Sequence, residues 1–305
     1  MRFVVTGAAG FIGSHLSEAL QAAGHEVVGV DCFTDYYDPA VKEENARALD
    51  VRRLDLAEEP LDLDGVDGVF HLAGQPGVRS FGEVFELYLR RNVLATQRVL
   101  ETAAAAGVRV VFSSSSSVYG DAERYPTTEQ TPPRPVSPYG ITKLACEHLA
   151  RAYGRSFGLD AVVLRYFNAY GPRQRPDMAF TRVVLALAEG RPFTLFGDGG
   201  QSRSFTYVAD VVSATVAAME RAPAGAVLNV GGGEEATMND AIARLERIAG
   251  RTLELVREPP APGDQRRTKA DTTRIRELLG WEPRTSLDAG LRAEWEWAAG
   301  RVAAR

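Results

Sequence analysis

Apolar residues follow two rhythms along this chain, and the alternation between them lays out its architecture. Arg2–Thr6 reads as a short buried strand, and His25–Asp31, Val51–Leu54, Gly68–Leu72, Val108–Ser113 and Ala161–Arg165 as the strands that follow. Stretches with helical spacing lie between them. Phe11–Ala23 is an amphipathic helix closed by Gly24, and a long helical stretch, rich in Leu, Ala and Arg, covers roughly Val84–Ala106. Strands alternating with helices predict parallel β-α-β units and an α/β class built on a doubly wound parallel sheet.

The pattern loosens in the second half. Asp121–Pro138 is rich in Pro and Thr and reads as a surface loop leading into a helix that carries Tyr139. Beyond Arg165 come a loop with Gly171, Pro172 and Pro176, a helix near Phe180–Glu189, and the turn FGDGGQ. Helices at Val208–Glu220 and Asn239–Ile248 and a short strand at Ala226–Val230 follow, then a Pro- and Arg-rich loop from Pro259. The chain closes on helices at Thr272–Leu279 and Leu287–Ala298. We expect residues 1–165 to form a nucleotide-binding domain. Residues 166–305 form a smaller α/β substrate domain, with the part near 203–230 returning to the main sheet.

Composition narrows the class. At 305 residues, with 45% apolar and 25% charged residues, the chain can bury a substantial core and is ordinary for a globular protein. A net charge of −5 gives no reason to expect nucleic acid as a partner. Two cysteines, Cys32 and Cys146, make no disulfide framework and suit a reducing cytosol. No signal segment precedes the first strand, and no apolar run approaches the roughly 20 residues that span a bilayer. The expectation is a cytoplasmic protein that does not insert in membranes.

Two motifs carry chemistry. Thr6–Gly13 reads TGAAGFIG, placing Gly7, Gly10 and Gly13 between a strand and a helix. Glycines there let the backbone turn tightly and approach a pyrophosphate at the helix N-terminus. Asp31 ends the next strand, where a carboxylate accepts hydrogen bonds from the adenosine ribose and repels a 2′-phosphate. The cofactor expected is NAD rather than NADP. The second motif is SSSSSVYG…SPYGITK, with Tyr139 and Lys143 four residues apart at a helix start, hence on one face. An ammonium beside a phenol favours the phenolate, which can take a proton from an alcohol. The serine run follows an apolar strand directly, where a flexible linker makes poor sense.

In this order and register the motifs resemble the extended short-chain dehydrogenase/reductase family, in particular its nucleotide-sugar 4-epimerase branch and most of all UDP-glucuronate 4-epimerases. The resemblance covers nearly the whole chain. It implies a Rossmann-type first domain, catalysis by Ser115, Tyr139 and Lys143, and a tightly bound NAD regenerated each turnover. Phe11 and Ile12 belong to the cofactor loop, Asp55 and Leu56 flank the adenine, and Leu72, Ala73 and Gly74 line the cofactor cleft. Asn92 lies near the nicotinamide, and Tyr166 and Asn168 of RYFN border the nicotinamide and the substrate phosphates. Cys32 departs from the pattern, since many relatives carry Asn there. The family also pairs through two helices per subunit, which implies a homodimer held by a four-helix bundle.

The family shares one opening step, oxidation of the sugar C4 hydroxyl, and branches afterwards. Dehydratases and decarboxylases typically carry acidic residues just after the catalytic Ser or Thr, where this chain has Ser116 and Ser117. A hydroxyl with no activating partner is a poor general acid. That points to return of the hydride on the opposite face, through a bound 4-keto sugar: epimerisation at C4. For the substrate, Thr194 and Phe196 match uracil-contacting positions, Arg203 and Arg266 arginines that meet the diphosphate, and Asp264 a ribose-holding residue. Ser204 stands where the family has Asp. The stretches VDCFTDYYDPAVKEENARAL, AGQPGVR (with Arg79) and GPRQRPDMAF resemble UDP-glucuronate 4-epimerases, and Arg175 matches an arginine that binds the C6 carboxylate. Ser116 and Ser117 add neutral hydrogen bonds to that carboxylate. Asn168, Arg173 and Gln174 resemble the UDP-glucose and UDP-N-acetylglucosamine branch instead, so that activity stays open. A UDP-glucuronate decarboxylase comes after it, and an NAD-binding redox-sensing scaffold is the non-enzyme alternative. No metal site is expected.

Overall fold

The first strand shows how the chain is layered. Phe3 and Val5 enter one core and Val4 another, so both faces of a sheet are covered. The computed structural model describes residues 1–77, 84–259 and 267–303. Its strands begin with β1 (Arg2–Thr6), β2 (Glu26–Asp31), β3 (Val51–Arg53), β4 (Gly68–His71), β5 (Arg109–Ser115) and β6 (Ala161–Tyr166). Four short ones follow, β7 (Ala169–Tyr170), β8 (Phe193–Phe196), β9 (Ser202–Ser204) and β10 (Thr206–Tyr207). The last are β11 (Val227–Val230), β12 (Glu235–Thr237), β13 (Leu255–Glu258) and β14 (Arg267–Thr268). The main sheet has seven strands in the order β11-β6-β5-β4-β1-β2-β3, all neighbours parallel. Strand order reverses between β1 and β4. In such sheets ligands bind in the crevice beyond the carboxyl ends of the strands at that reversal.

The helices are α1 (Phe11–Ala22), α2 (Pro39–Ala46), α3 (Phe85–Tyr88), α4 (Ala95–Ala106) and α5 (Pro138–Phe157), then α6 (Ala179–Glu189), α7 (Val208–Arg221), α8 (Met238–Ala249), α9 (Thr273–Leu279) and α10 (Leu287–Ala303). On one face of the sheet Leu16 and Leu20 of α1, Val211 and Ala214 of α7 and Ile275 of α9 pack against Phe70, Leu164 and Leu228. On the other, Val99 and Leu100 of α4 and Cys146 and Ala150 of α5 meet Val28, Val69, Val110 and Phe112. A separate core joins α6, α8 and α10 through Val183, Leu187, Leu245 and Leu291. No helix among the described residues is long and apolar enough to cross a membrane.

Apart from α2 (Pro39–Ala46), which was not foreseen, the strands and helices of the first half stand where the sequence pattern places them, with ends shifted by a residue or two. The largest of these shifts is β5, which runs on to Ser115 rather than stopping at Ser113. One element differs in kind. Val84–Ala106 is not a single α-helix, because a π-helical segment, Leu89–Leu94, separates α3 from α4. A π turn takes in an extra residue without breaking the apolar face, so spacing alone reads through it. In the second half the strands β7 to β10, β12, β13 and β14 were not foreseen. Each has two to four residues, too few for a period-two pattern to show.

Candidate active site

The glycine-rich turn lies between β1 and α1, against the carboxyl end of β4. Gly7 has φ +72°, and a Cβ there would stand 2.9 Å from the Ala73 backbone nitrogen. At Gly13 a Cβ would run into the Gly7 carbonyl oxygen. Both positions therefore hold the turn shut enough for a phosphate to meet the start of α1. Thr6 braces the same place from below: its Oγ1 accepts the Leu72 and Ala73 N–H groups, each at 3.1 Å. With its acceptor side so used, the Thr6 hydroxyl donates to His71 Nδ1 at 2.7 Å. That fixes the tautomer, and His71 Nε2 donates to Thr96 Oγ1 at 3.0 Å. Full burial, helped by the nearby Lys143 charge, lowers the His71 pKa to about 3, so this ring is neutral.

Asp31, at the end of β2, faces the same cavity. Its Oδ2 accepts from the Ala9 N–H at 3.2 Å and its Oδ1 from the Phe33 N–H at 2.8 Å, so it also clamps the glycine turn. Burial pushes its pKa up, opposed by the Phe33 hydrogen bond and by the charge of Lys42. Lys42 itself donates to the carbonyl and hydroxyl oxygens of Thr34 at 2.9 and 2.7 Å. Cys32 lines the cavity beside Asp31, and burial holds its thiol in the protonated form.

The serine strand and the tyrosine helix meet at the far end of this cavity. Ser137 caps α5, accepting from the Gly140 N–H at 3.1 Å, with Pro138 in the first turn. That cap sets Tyr139 at the cavity wall. One turn on, the buried Lys143 donates through Nζ to the Ser113 carbonyl at 2.8 Å, and its ammonium lies 5.9 Å from the Tyr139 ring centre. Ser115 ends β5 and caps the short turn Ser116–Tyr119. Its Oγ accepts from the Ser117 N–H and donates to Ser117 Oγ, both at 3.1 Å. A hydroxyl rotates at little cost, so the Ser115 proton can be re-aimed once a sugar hydroxyl arrives.

One cavity of about 1160 Å³ joins all of this to the second body of the protein. It exceeds the roughly 300–1,000 Å³ of a typical small-ligand pocket. Gly7, Gly10, Phe11, Ile12 and Gly13 line it, as do Asp31, Asp55 and Leu56, and Leu72, Ala73 and Gly74. The remaining expected residues on its wall are Ser115, Ser116, Ser117, Tyr139 and Lys143, with Tyr166, Asn168, Arg175, Thr194, Phe196 and Arg203. Asn92 is the exception. It is buried in the π-helical segment behind the wall, where Oδ1 accepts from the Gln75 N–H at 2.6 Å and Nδ2 donates to Thr142 at 3.0 Å. Tyr166 lines the cavity with its ring while its hydroxyl bonds Thr215 at 2.7 Å, facing the core. Arg79, Asp264 and Arg266 lie outside the described residues.

Several wall residues were not anticipated. Arg175 pairs with both oxygens of Asp177 at 3.0 Å, and Tyr36, from the loop after β2, reaches Asp177 Oδ2 at 3.4 Å. Burial works against the Arg175 charge, and Asp177 more than offsets it. Arg91 and Arg182 add further cations. Only the resemblance of VDCFTDYYDP to one enzyme branch hinted at Tyr36; nothing in spacing marks Asp177. Arg173 and Gln174, on the same loop, are tied to the fold, and Gln174 also lines the cavity. Arg173 pairs with Glu18 of α1 at 2.8 Å, and the buried Gln174 bonds Ala169 and Thr181. Ser204 is buried, donating to the Gly233 carbonyl at 2.8 Å, and its own carbonyl accepts from Asn168 at 3.1 Å. Among the described residues no cluster of His, Cys, Asp or Glu could hold a metal ion.

Residues 3–231 match the model of the family described as NAD dependent epimerase/dehydratase. The chain belongs to that family. Two protein relatives and one solved structure are similar along almost the full length. A Bacillus subtilis (strain 168) protein named "Uncharacterized UDP-glucose epimerase YtcB" is 42% identical over 306 residues, 96% of each chain. The UDP-glucuronate 4-epimerase of Thermodesulfobacterium geofontis (strain OPF15) is 34% identical over 318 residues, covering 97% of this chain and 95% of its own. The structure of UDP-glucuronic acid 4-epimerase from Bacillus cereus, in complex with UDP-glucuronic acid and NAD, superposes with a TM-score of 0.95. It is 41% identical and covers 99% of this chain and 100% of its own. The cofactor of this family member is NAD, and the site fits it. The cradle at Gly7 and Gly13 excludes any side chain from the pyrophosphate turn, and Asp31 stands where the adenosine ribose needs an acceptor.

Proposed function

We propose that this protein interconverts UDP-glucuronate and UDP-galacturonate by epimerisation at C4. The coarser level, an NAD-dependent 4-epimerase of UDP-sugars and hence an isomerase, rests on the family and on relatives matched end to end. The choice of a uronic acid is ours. The observation that carries it is the meeting of Ser115, Tyr139, Lys143 and Arg175 in one cavity, with only the neutral Ser116 and Ser117 following the catalytic serine.

NAD bound in the cleft supplies a hydride acceptor that is restored within the same turnover. The protein's own residues handle the proton and the grip. Tyr139, with the Lys143 ammonium beside it, takes the C4 hydroxyl proton and later returns it, and Ser115 shares that hydrogen bond. Arg203, with Thr194 and Phe196, holds the nucleotide so that the sugar can turn and present its other face. Arg175 meets the C6 carboxylate, which would be costly to desolvate without a cation. Held out of line with the C4 carbonyl, that carboxylate is kept from leaving as CO₂. Exposed apolar residues on the helical face before β5 (Phe85, 39%; Leu89, 44%; Leu94, 38%) and on α5 (Ile141, 47%) support pairing with a second copy.

A second reading is favoured by one observation. Arg175 is already half neutralised by Asp177, which weakens its pull on a carboxylate and suits a neutral UDP-hexose. The test is turnover of UDP-glucuronate, UDP-glucose and UDP-N-acetylglucosamine, with products separated by chromatography. We expect UDP-glucuronate to be the best substrate and Arg175→Ala to depress its turnover far more than any residual UDP-glucose turnover. Equal losses on both sugars would sink the carboxylate role, and no conversion of any sugar would revive the scaffold.

A further inference from the structure

Behind the cavity lies a closed ionic network that the chemistry above does not use. Tyr139, Lys143 and Glu147 follow one another at intervals of four along α5, so all three share one face. Arg165, on β6, grips Glu147 with its fork: Nε to Oε1 at 2.9 Å and Nη2 to Oε2 at 2.6 Å. Both side chains are 6% exposed. Ser114, the neighbour of Ser115 and the residue paired with Arg165 across the sheet, donates to Glu147 Oε1 at 2.5 Å. The remaining Arg165 nitrogen donates to the Tyr119 hydroxyl at 2.8 Å and the guanidinium lies 4.7 Å over the Tyr119 ring. Tyr119 in turn donates to Asn229 Oδ1 at 2.7 Å, and Asn229 Nδ2 reaches the carbonyls of Thr127 and Asp271.

A buried ion pair adds little to stability over an apolar pair of the same volume, because desolvation cancels most of the attraction. What the fork adds is geometry: two parallel hydrogen bonds admit one angle and one distance. Here that geometry ties the helix bearing Tyr139 and Lys143 to the strand beside Ser115. We propose that Arg165 and Glu147 are positioning residues, which fix the axial setting of α5 against β5 and thereby the spacing between Tyr139, Lys143 and Ser115. The proposal concerns only the proton transfer common to every sugar, so it does not depend on which UDP-sugar is the substrate.

The test uses the full-length holoenzyme in two variants, E147L/R165M and R165K. The first replaces the pair by apolar groups of similar volume; the second keeps the charge and loses the fork. Any UDP-sugar that the wild type converts serves as probe. We expect both variants to keep KM within about twofold while kcat falls on the order of 10²-fold, as a displacement near 1 Å can cause. In crystals of R165K, α5 should shift along its axis relative to β5 by about 0.5 Å or more, the tolerance of a productive site. Unchanged kcat in a folded variant, or an unmoved α5, overturns the proposal. So does loss of folding in both variants, which would make the pair a stability element. A wild type inert to every UDP-sugar counts against the proposed function instead, and the crystal comparison still decides the positioning.

Discussion

His71 offers a measurable consequence of burying a titratable ring close to Lys143. It is fully buried, donates to Thr96, accepts from Thr6, and has its pKa lowered from 6.5 to about 3. Below pH 6.5 the unfolded chain therefore binds a proton that the folded chain refuses. Stability from this group is complete above 6.5 and is lost as pH falls toward 3. The loss is about 0.4 kcal/mol at pH 6.5, about 1.4 at pH 5.5 and about 2 at pH 5.0. His71→Asn keeps an acceptor for Thr6 and cannot titrate. It will be less stable than the wild type at neutral pH because it leaves a gap, but its deficit should shrink by about 2 kcal/mol between pH 7.5 and 5.0. Urea unfolding of both proteins across that range gives the difference directly. The contribution of Glu294, whose buried carboxyl is shifted well upward, and of every other titrating group cancels in that comparison. A deficit that stays constant with pH would refute the reasoning, since it would mean that His71 takes its proton as readily when folded.

Other outcomes follow from the same geometry. Tyr139→Phe should lower turnover on the order of 10²–10⁴-fold while UDP-sugar affinity by calorimetry holds, and a loss below tenfold would remove Tyr139 from the proton path. Gly13→Ala drives a methyl into the Gly7 carbonyl, so NAD affinity should drop at least roughly tenfold with the fold intact by circular dichroism. Ser137→Ala removes the cap of α5 and should cost about 1 kcal/mol in urea unfolding. An unchanged midpoint would show that Pro138 and tertiary packing set the helix start without it.

Most of the first half of the fold was readable because its buried strands are apolar runs and its long helices amphipathic; α2 and the charged β3 carry weaker signals. Those signals are local, and so were the glycine turn, Asp31, Tyr139 and Lys143. The π-helical segment was invisible because an inserted residue changes backbone hydrogen bonding without disturbing the apolar face. Asn92, expected near the nicotinamide side, is buried just behind Gly74 of the cavity wall, with its amide on Gln75 and Thr142. The Arg175–Asp177–Tyr36 cluster draws on separate parts of the chain, and an ion pair of two neighbouring charged residues looks like ordinary surface until the cavity around it is known.

The chain also visits its two bodies in turn. It leaves the main sheet after β6, comes back in α7 and β11, departs for α8, returns in α9, and ends in α10, whose Arg301 pairs with Glu44 of α2. Such stitching has no place for a single hinge, because a jaw-like opening would strain several crossings together. The same stitching means that a fragment ending at β6 would present that strand as a bare, apolar sheet edge, a template for aggregation rather than a separable half.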